Sequence, residues 1–168
     1  MNYILRNERS EDIKGISTLT AAAFEHAEHS SHTEHFIVDA LRRAGQLTVS
    51  LVAVEHEAII GHVAISPVVV SSGVAGWFGL GPVSVAPDRQ GQGIGSALMK
   101  AALAQLQGQG AAGCVLLGDP GYYARFGFKA HAGLELPGVP HEYFQALPLG
   151  GEVPVGAVQY HPAFEVTE

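Results

Sequence analysis

The sequence predicts an α/β fold built on a mixed β-sheet, and three observations predict it. Two segments with apolar residues at helical spacing open the chain, a hairpin of β-branched strands follows, and a glycine-rich turn then leads through a third helical stripe to a short apolar run. Alternating elements of this kind place helices over the faces of a sheet. With 168 residues, 47% hydrophobic and 15% charged, the chain has the size and apolar content of one domain, expected to span residues 1–168. No internal repeat, low-complexity run or linker divides it.

Ile4 and Leu5 read as a short first strand. Ser10 is placed to cap a helix whose first turn carries Glu11 and Asp12, where acidic groups favour the positive end of the helix dipole, and Ile13, Ile16, Leu19, Ala23 and Phe24 recur at helical spacing. A second helix is expected from Thr33 as cap through Phe36, Ile37, Ala40, Leu41 and Ala44, with Arg42 and Arg43 in its last turn and Gly45 as its stop.

From Leu47 the texture becomes β-branched. Thr48 to Val54 and Ile59 to Ile65 flank the polar break Glu55-His56-Glu57 and predict a hairpin of two long strands. A further strand is read from Trp77 to Val85, and Gly79, Gly81 and Pro82 within it predict a bulge or splay. The third helix is expected from about Gly93 to Gln107, ended by Gly108 and Gly110. Cys114 to Leu117 reads as a central strand covered on both faces, and the tail holds at least one more strand near Val155 to Tyr160.

Bulk properties narrow the function. Nine Lys and Arg against sixteen Asp and Glu give a formal charge of −7 with no basic patch, which argues against nucleic-acid binding. No apolar stretch approaches the roughly 20 residues a membrane span needs, and Met1 to Arg6 lacks the layout of a secretion signal, so no membrane partner and a cytoplasmic location are expected. The single cysteine, Cys114, in an apolar run, reads as a buried structural thiol.

The most informative segment is Gln90-Gly91-Gln92-Gly93-Ile94-Gly95 between the strand ending at Val85 and the helix from Ser96 onward. Main-chain amides at a helix N-terminus point outward unpaired, and glycines leave them open to a pyrophosphate. A tight turn needing positive φ is the plainer explanation of the glycines. The dinucleotide fingerprint would need glycine at Ser96, and the nucleotide P-loop would need Gly-Lys-Ser/Thr, so neither rival phosphate motif fits.

Gln90 to Gly95 resembles the Gln/Arg-x-x-Gly-x-Gly/Ala signature of the GNAT acetyltransferase superfamily, and Tyr122-Tyr123-Ala124-Arg125-Phe126-Gly127-Phe128 resembles that family's late Tyr-x-x-x-Gly-Phe segment. The paired form Asp119-Pro120-Gly121-Tyr122-Tyr123 looks like its YhbS-like branch, and the resemblance spans essentially the whole chain. It implies a twisted mixed sheet, flanked by helices, that splays open after Val83 to Val85 to form an acetyl-CoA cleft, with acetyl-CoA as cosubstrate and no metal.

By the same resemblance, the backbone of Val83 and Val85 would pair with the pantetheine arm, and amides from Gly91 through Gln92, Gly93, Ile94 and Gly95 to Ser96 would hold the pyrophosphate. Amides near Val83 and Ser84 would polarise the thioester carbonyl for direct attack by an amine in a ternary complex. Tyr123 matches the family's general acid, and a phenol with a pKa near ~10 is protonated at neutral pH and able to serve the departing thiolate. The family's usual Asn before this tyrosine is missing; Asp119 stands in its neighbourhood as a candidate helix cap. Homodimers are frequent among such enzymes, which makes a homodimer the assembly the resemblance suggests.

The predicted strand from Trp77 to Val85 carries no acid to act as base, which leaves Glu25, Glu28, Glu34, Glu142 or a water chain. His26, His29, His32 and His35 recur every three residues, but Ser30, Ser31 and the helix start at Thr33 argue against one continuous helix. They read as a solvated loop before they read as metal ligands, and the resemblance implies that this loop lies beside the acceptor site. The acids in that loop suit a small amine or an amino-terminal acceptor. Two other function classes stay open on sequence: a CoA-binding regulatory module without turnover, and a histidine-rich metal-handling protein.

Overall fold

The alternation of elements organises one sheet. In the computed structural model, which describes residues 2–28 and 30–168, the chain runs β1 (Ile4–Asn7), α1 (Ile13–Phe24), α2 (Glu34–Arg43), β2 (Val49–Glu55), β3 (Ala58–Val70), β4 (Trp77–Val85) and α3 (Ile94–Gly108). It continues through β5 (Gly113–Leu117), α4 (Pro120–Tyr123), β6 (Leu134–Glu135), β7 (Phe144–Pro148) and β8 (Gly156–Tyr160). The spatial order is β1-β2-β3-β4-β5-β7, with β8 beside the second half of β3 and β6 beside β8. The β4–β5 and β6–β8 pairs are parallel and the others antiparallel, so the sheet is mixed, as the sequence predicts.

Helix ends depart from expectation in their chemistry. Ser10 begins a 3-10 turn and caps nothing; Asp12 takes that part, its carboxylate accepting the Arg9 amide at 2.7 Å and the Arg6 guanidinium at 2.7 and 3.0 Å. Thr33 likewise precedes α2 without a side-chain cap bond. The stop at Gly45 is built as expected: with φ +70°, its amide reaches the Arg42 carbonyl and the Gln46 amide reaches that of Leu41, a paired closure of the last turn.

His56 and Glu57 join β2 to β3 with φ +48° and +67°, the twist-matched geometry of a two-residue hairpin made here without glycine. Sequence reading ends the second strand at Ile65, whereas β3 continues to Val70. Pro67 is tolerated because it falls between Val49, the first residue of β2, opposite Ile65, and Tyr160, the last residue of β8, opposite Val68.

One face of the sheet packs on α3, where Leu51, Ala53, Val63 and Ile65 meet Leu98, Met99 and Leu106. Gly61 permits the close approach, since a Cβ there would stand 2.8 Å from Leu98 and 3.0 Å from Ile94. The other face lies under α1 and α2, through Ile16 and Val38 on Val52, while Ile37 and Leu41 pack on Ala163 in the 3-10 turn after β8.

The predicted irregularity in β4 is a bulge: Val63 pairs with Val83 and Ile65 with Leu80, so Ala64 alone faces Gly81 and Pro82. The partners then diverge. β5 pairs with β4 only from Trp77 to Gly79 but stays with β7 up to Leu117, which lies opposite Phe144. Beyond Gly79 the sheet is split.

Candidate active site

The split leaves one edge of β4 open. Ala86 donates to the Ile60 carbonyl at 2.9 Å, and antiparallel alternation then turns the main chain of Ser84 toward His62 in β3 and that of Val83 and Val85 toward the gap. Val83 and Val85 thus offer main-chain groups to an extended ligand, although the Val85 carbonyl already accepts from Gln90 Nε2 at 3.1 Å. The expectation for the Ser84 amide is corrected by this register: that amide faces β3, while the Ser84 hydroxyl is buried with no hydrogen-bond partner among the described residues. Across the gap, Leu117 at the end of β5 is 48% exposed, an apolar wall for such a ligand.

At the end of the gap stands the glycine turn. Gly91 and Gly93 adopt φ +76° and +85°, and a Cβ on either would meet only open space, so backbone conformation is what demands glycine there. Gly93 occupies the N-cap of α3 with no side chain to cap it, and the first amide bonded within the helix is that of Ala97, to the Gly93 carbonyl. The amides of Ile94, Gly95 and Ser96 therefore lie at the mouth of a cleft of ≈ 340 Å³ bounded by Gln90, Gly91, Tyr122 and Arg125. Unpaired amides at a helix N-terminus attract anionic oxygen. Gln92 is tied down on the outside, accepting from Arg89 Nε at 3.3 Å.

One cation in this cleft escaped sequence reading. The Arg125 guanidinium stacks 4.3 Å over the Tyr122 ring and its Nε donates to the Tyr122 carbonyl at 2.8 Å, which sets a cation beside the free amides. The i, i+3 spacing of Tyr122 and Arg125 is the signal that was available. Arg89, the other cation there, is engaged by Glu55.

Tyr122 and Tyr123 divide the space. Tyr122 reaches toward Gly95 at the head of α3, whereas the Tyr123 ring packs against Gly118, just past the end of β5, and toward Phe126 and Phe128. The two rings meet edge-on at 4.9 Å. Burial, with smaller contributions from Tyr122 and Asp119, raises the Tyr123 hydroxyl above the usual phenol range, so it stays protonated at neutral pH. Asp119 caps α4, accepting the Gly121 amide at 2.9 Å.

The histidines do not share one helix, since α1 ends at Phe24 and α2 begins at Glu34. His26 is exposed, His32 lies 2.9 Å from the Phe24 carbonyl through Nδ1, and His35 packs on Phe36; His29 falls outside the described residues. Among the described residues no three His, Cys, Asp or Glu side chains gather to hold a metal. Phe24, Glu25, His32, Glu34 and His35 instead line an open pocket of ≈ 300 Å³. Of the acids considered as bases, Glu25, Glu28 and Glu142 are exposed and Glu34 accepts from Ser30. Cys114 is fully buried, and burial pushes its thiol far up, which makes it a packing group.

Beneath α1 and α2 runs a polar line that sequence reading passed over. His62 on β3 is wholly buried, its Nε2 is 2.8 Å from Ser50 Oγ, and Ser50 donates to Glu8, which also holds Arg42 at 2.8 Å. A lone histidine inside an apolar strand carries no pattern that distinguishes it from ordinary core.

Comparison with known proteins agrees with this geometry. Residues 46–130 match the family model described as an acetyltransferase (GNAT) domain. The chain is 37% identical over 169 aligned positions to the protein named uncharacterized N-acetyltransferase YhbS of Escherichia coli, covering 96% of this chain and 98% of that protein. Among solved structures, a GNAT family acetyltransferase from Brucella melitensis in complex with acetyl-CoA superposes with a TM-score of 0.87 at 51% identity, covering 96% of this chain and 97% of that one. Escherichia coli YhbS in complex with CoA superposes with a TM-score of 0.89 at 35% identity, covering 100% of this chain and 94% of that one.

Proposed function

The chain belongs to the GNAT acetyltransferase family, and on that premise we propose that residues 1–168 act as one N-acetyltransferase domain moving an acetyl group from acetyl-CoA to an amine, by direct attack in a ternary complex. The observation that carries this reading is the conjunction of an open β4 edge with unpaired α3 amides and with a protonated Tyr123 packed against Gly118, just past the end of β5.

In this mechanism the amides of Ile94, Gly95 and Ser96, with Arg125 beside them, bind the pyrophosphate, and Val83 and Val85 align the pantetheine arm as an added strand. The Val83 amide, on the open edge, polarises the thioester carbonyl as charge grows on its oxygen. The amine nitrogen forms the new C–N bond, the C–S bond breaks, and Tyr123 gives its proton to the leaving thiolate.

The acceptor is a small amine or a free amino terminus. Glu25 and Glu34 around the pocket between α1 and α2, together with the net charge of −7, favour a cation. A reduced, buried Cys114 suits the cytoplasm; within the described residues, no helix is long and apolar enough to cross a membrane. A homodimer is the assembly we propose, by analogy with related enzymes.

The test is release of CoA thiol from acetyl-CoA across polyamines, aminoglycosides, amino acids and peptides with free N-termini, run beside Tyr123→Phe. Acceptor-dependent release that the variant loses is the expected result. Silence with every amine, alongside measurable acetyl-CoA binding, would replace this reading with a CoA-binding module lacking turnover.

A further inference from the structure

The hydrogen bonds around His62 fix the direction in which its protons point. Burial pulls the Glu8 carboxyl upward, but hydrogen bonds from Arg42 and Ser50 together outweigh it and keep the group ionised, hence able only to accept. Ser50 has a single hydroxyl proton and gives it to Glu8, so across the 2.8 Å contact it must accept from His62 Nε2–H. The other ring nitrogen, Nδ1, is therefore a bare lone pair, fully buried and without a hydrogen-bond partner among the described residues.

A second orphan stands opposite. His62 is paired in register with Ser84 on β4, the two side chains share a face of the sheet, and the Ser84 hydroxyl is also buried and unpartnered. Cross-strand neighbours place their Cβ atoms about 4.5–5.5 Å apart, within bridging reach of a hydroxyl or one water. Ser84 lies between Val83 and Val85, whose main chains line the split. Unsatisfied buried polar atoms are costly, and two on facing residues call for an explanation.

We propose that Ser84, His62, Ser50 and Glu8 form a proton relay that takes the acceptor's ammonium proton from the split to the protein surface. This inference rests on the transferase reading. Ser84 Oγ passes the proton to His62 Nδ1, Nε2 releases its own to Ser50 Oγ, Ser50 hands its hydroxyl proton to Glu8, and Glu8, with a side chain 18% exposed, gives it to water. The deprotonated amine then forms the C–N bond, and the further proton it sheds balances the one Tyr123 supplies to the thiolate. Each ammonium acetylated thus yields one amide, one thiol and one proton in solvent.

The surroundings suit a relay better than a stored charge. Desolvation lowers the His62 pKa to about 4, against a pull from Glu8 and with a push from Arg42, so the imidazole is neutral at working pH and conducts without becoming a lasting cation. Those are the charges that act on it: β4 contributes no titratable group, Lys14 of α1 is exposed, and Glu55 at the far end of β2 is held by Arg89. His62 is accordingly a positioning and relay residue, not one that touches the thioester.

Two measurements on the whole chain test the relay. In ring-15N NMR, His62, identified by the signal that His62→Gln removes, is expected as the Nε2–H tautomer and neutral above about pH 5; an Nδ1–H tautomer overturns the relay whatever the enzyme acetylates. In turnover with acetyl-CoA and the fastest of spermidine, lysine and a free-N-terminal peptide, His62→Gln keeps a donor to Ser50 but lacks the basic lone pair. Its kcat is expected to fall about 100-fold at pH 7 with KM for acetyl-CoA within about twofold, the loss shrinking as pH approaches the amine's own pKa. Ser50→Ala should share that profile and Ser50→Thr restore activity. A loss equal at every pH, or none at pH 7, overturns the relay; failure of the unaltered enzyme with all three amines overturns it together with the transferase reading.

Discussion

Glu55, closing β2, and Arg89, opening the glycine turn, form a two-pronged ion pair: Arg89 Nη2 donates to Glu55 Oε2 at 3.0 Å and Nη1 to Oε1. The residues are 34 apart in sequence, so the pair fastens the hairpin turn to the glycine turn. The hydrogen bond from Arg89 holds the Glu55 carboxyl below its ordinary range. Glu55→Ala is expected to raise KM for acetyl-CoA about two- to fivefold with kcat unchanged, the scale of a solvent-accessible pair. Steady-state kinetics at low and high salt check this, and an unaltered KM would mean that the glycine backbone holds the loop unaided.

Tyr123 sets the alkaline limit of catalysis in the proposed mechanism. Its hydroxyl must be protonated to serve the thiolate, and burial raises its pKa, so the group keeps its proton beyond the pH at which an exposed tyrosine loses it. Activity is expected to persist through about pH 10, while Tyr123→Phe lowers kcat about 100-fold and leaves acetyl-CoA affinity within about twofold. A pH–rate profile and calorimetric titration of the variant decide it; wild-type turnover in Tyr123→Phe removes the residue from the chemistry.

Gly93 stands at the N-cap of α3 with φ +85°. Gly93→Ala adds strain of about 1 kcal/mol without filling the cleft, because a Cβ there has open space around it. Gly93→Glu places a carboxylate where the pyrophosphate is proposed to bind, and acetyl-CoA binding should become undetectable in a titration that still detects it for Gly93→Ala. Similar affinity in both variants would move the phosphate site elsewhere.

Asp12 gives the fold a defined acid limit. The Arg6 hydrogen bond, opposed by burial and helped by the Arg9 amide, keeps its carboxyl below the usual range. A carboxyl with a lowered folded pKa adds stability that is fully present above its unfolded value of about 4 and is lost as pH falls through the folded value. The Tm advantage of the unaltered chain over Asp12→Asn should therefore be full at pH 7 and fade below pH 4 in calorimetry. A gap that stays constant across that range would assign the effect to packing.

The helices, the hairpin and the glycine turn were legible because each leaves a local mark: apolar spacing for α1 and α3, β-branched runs around His56 and Glu57, and Gly93 at a left-handed N-cap. Legibility failed where partners decide. Pro67 looks like a strand terminator until the gap between β2 and β8 is known, and Phe144–Pro148 is too short and too close to glycine and proline to announce β7. Arg125 stands out as the cation of the cleft only once Glu55 is seen to occupy Arg89. His62 gains meaning from Glu8, Ser50 and Ser84, which come from three other parts of the chain.

The parting of β4 from β5 also leaves a raw margin in the middle of the sheet. Main-chain groups of Val83 and Val85 face a cleft beside the exposed Leu117, much as they would on an unguarded outer strand. Such margins template self-association, and a bound pantetheine arm would seal this one as an outer strand is sealed by its neighbour. Ligand occupancy then sets colloidal behaviour as well as catalysis: light scattering on warming should begin at lower temperature for the empty chain than for the chain saturated with CoA, beyond what the shift in melting temperature accounts for. A cell short of the ligand would hold this protein in its stickier form.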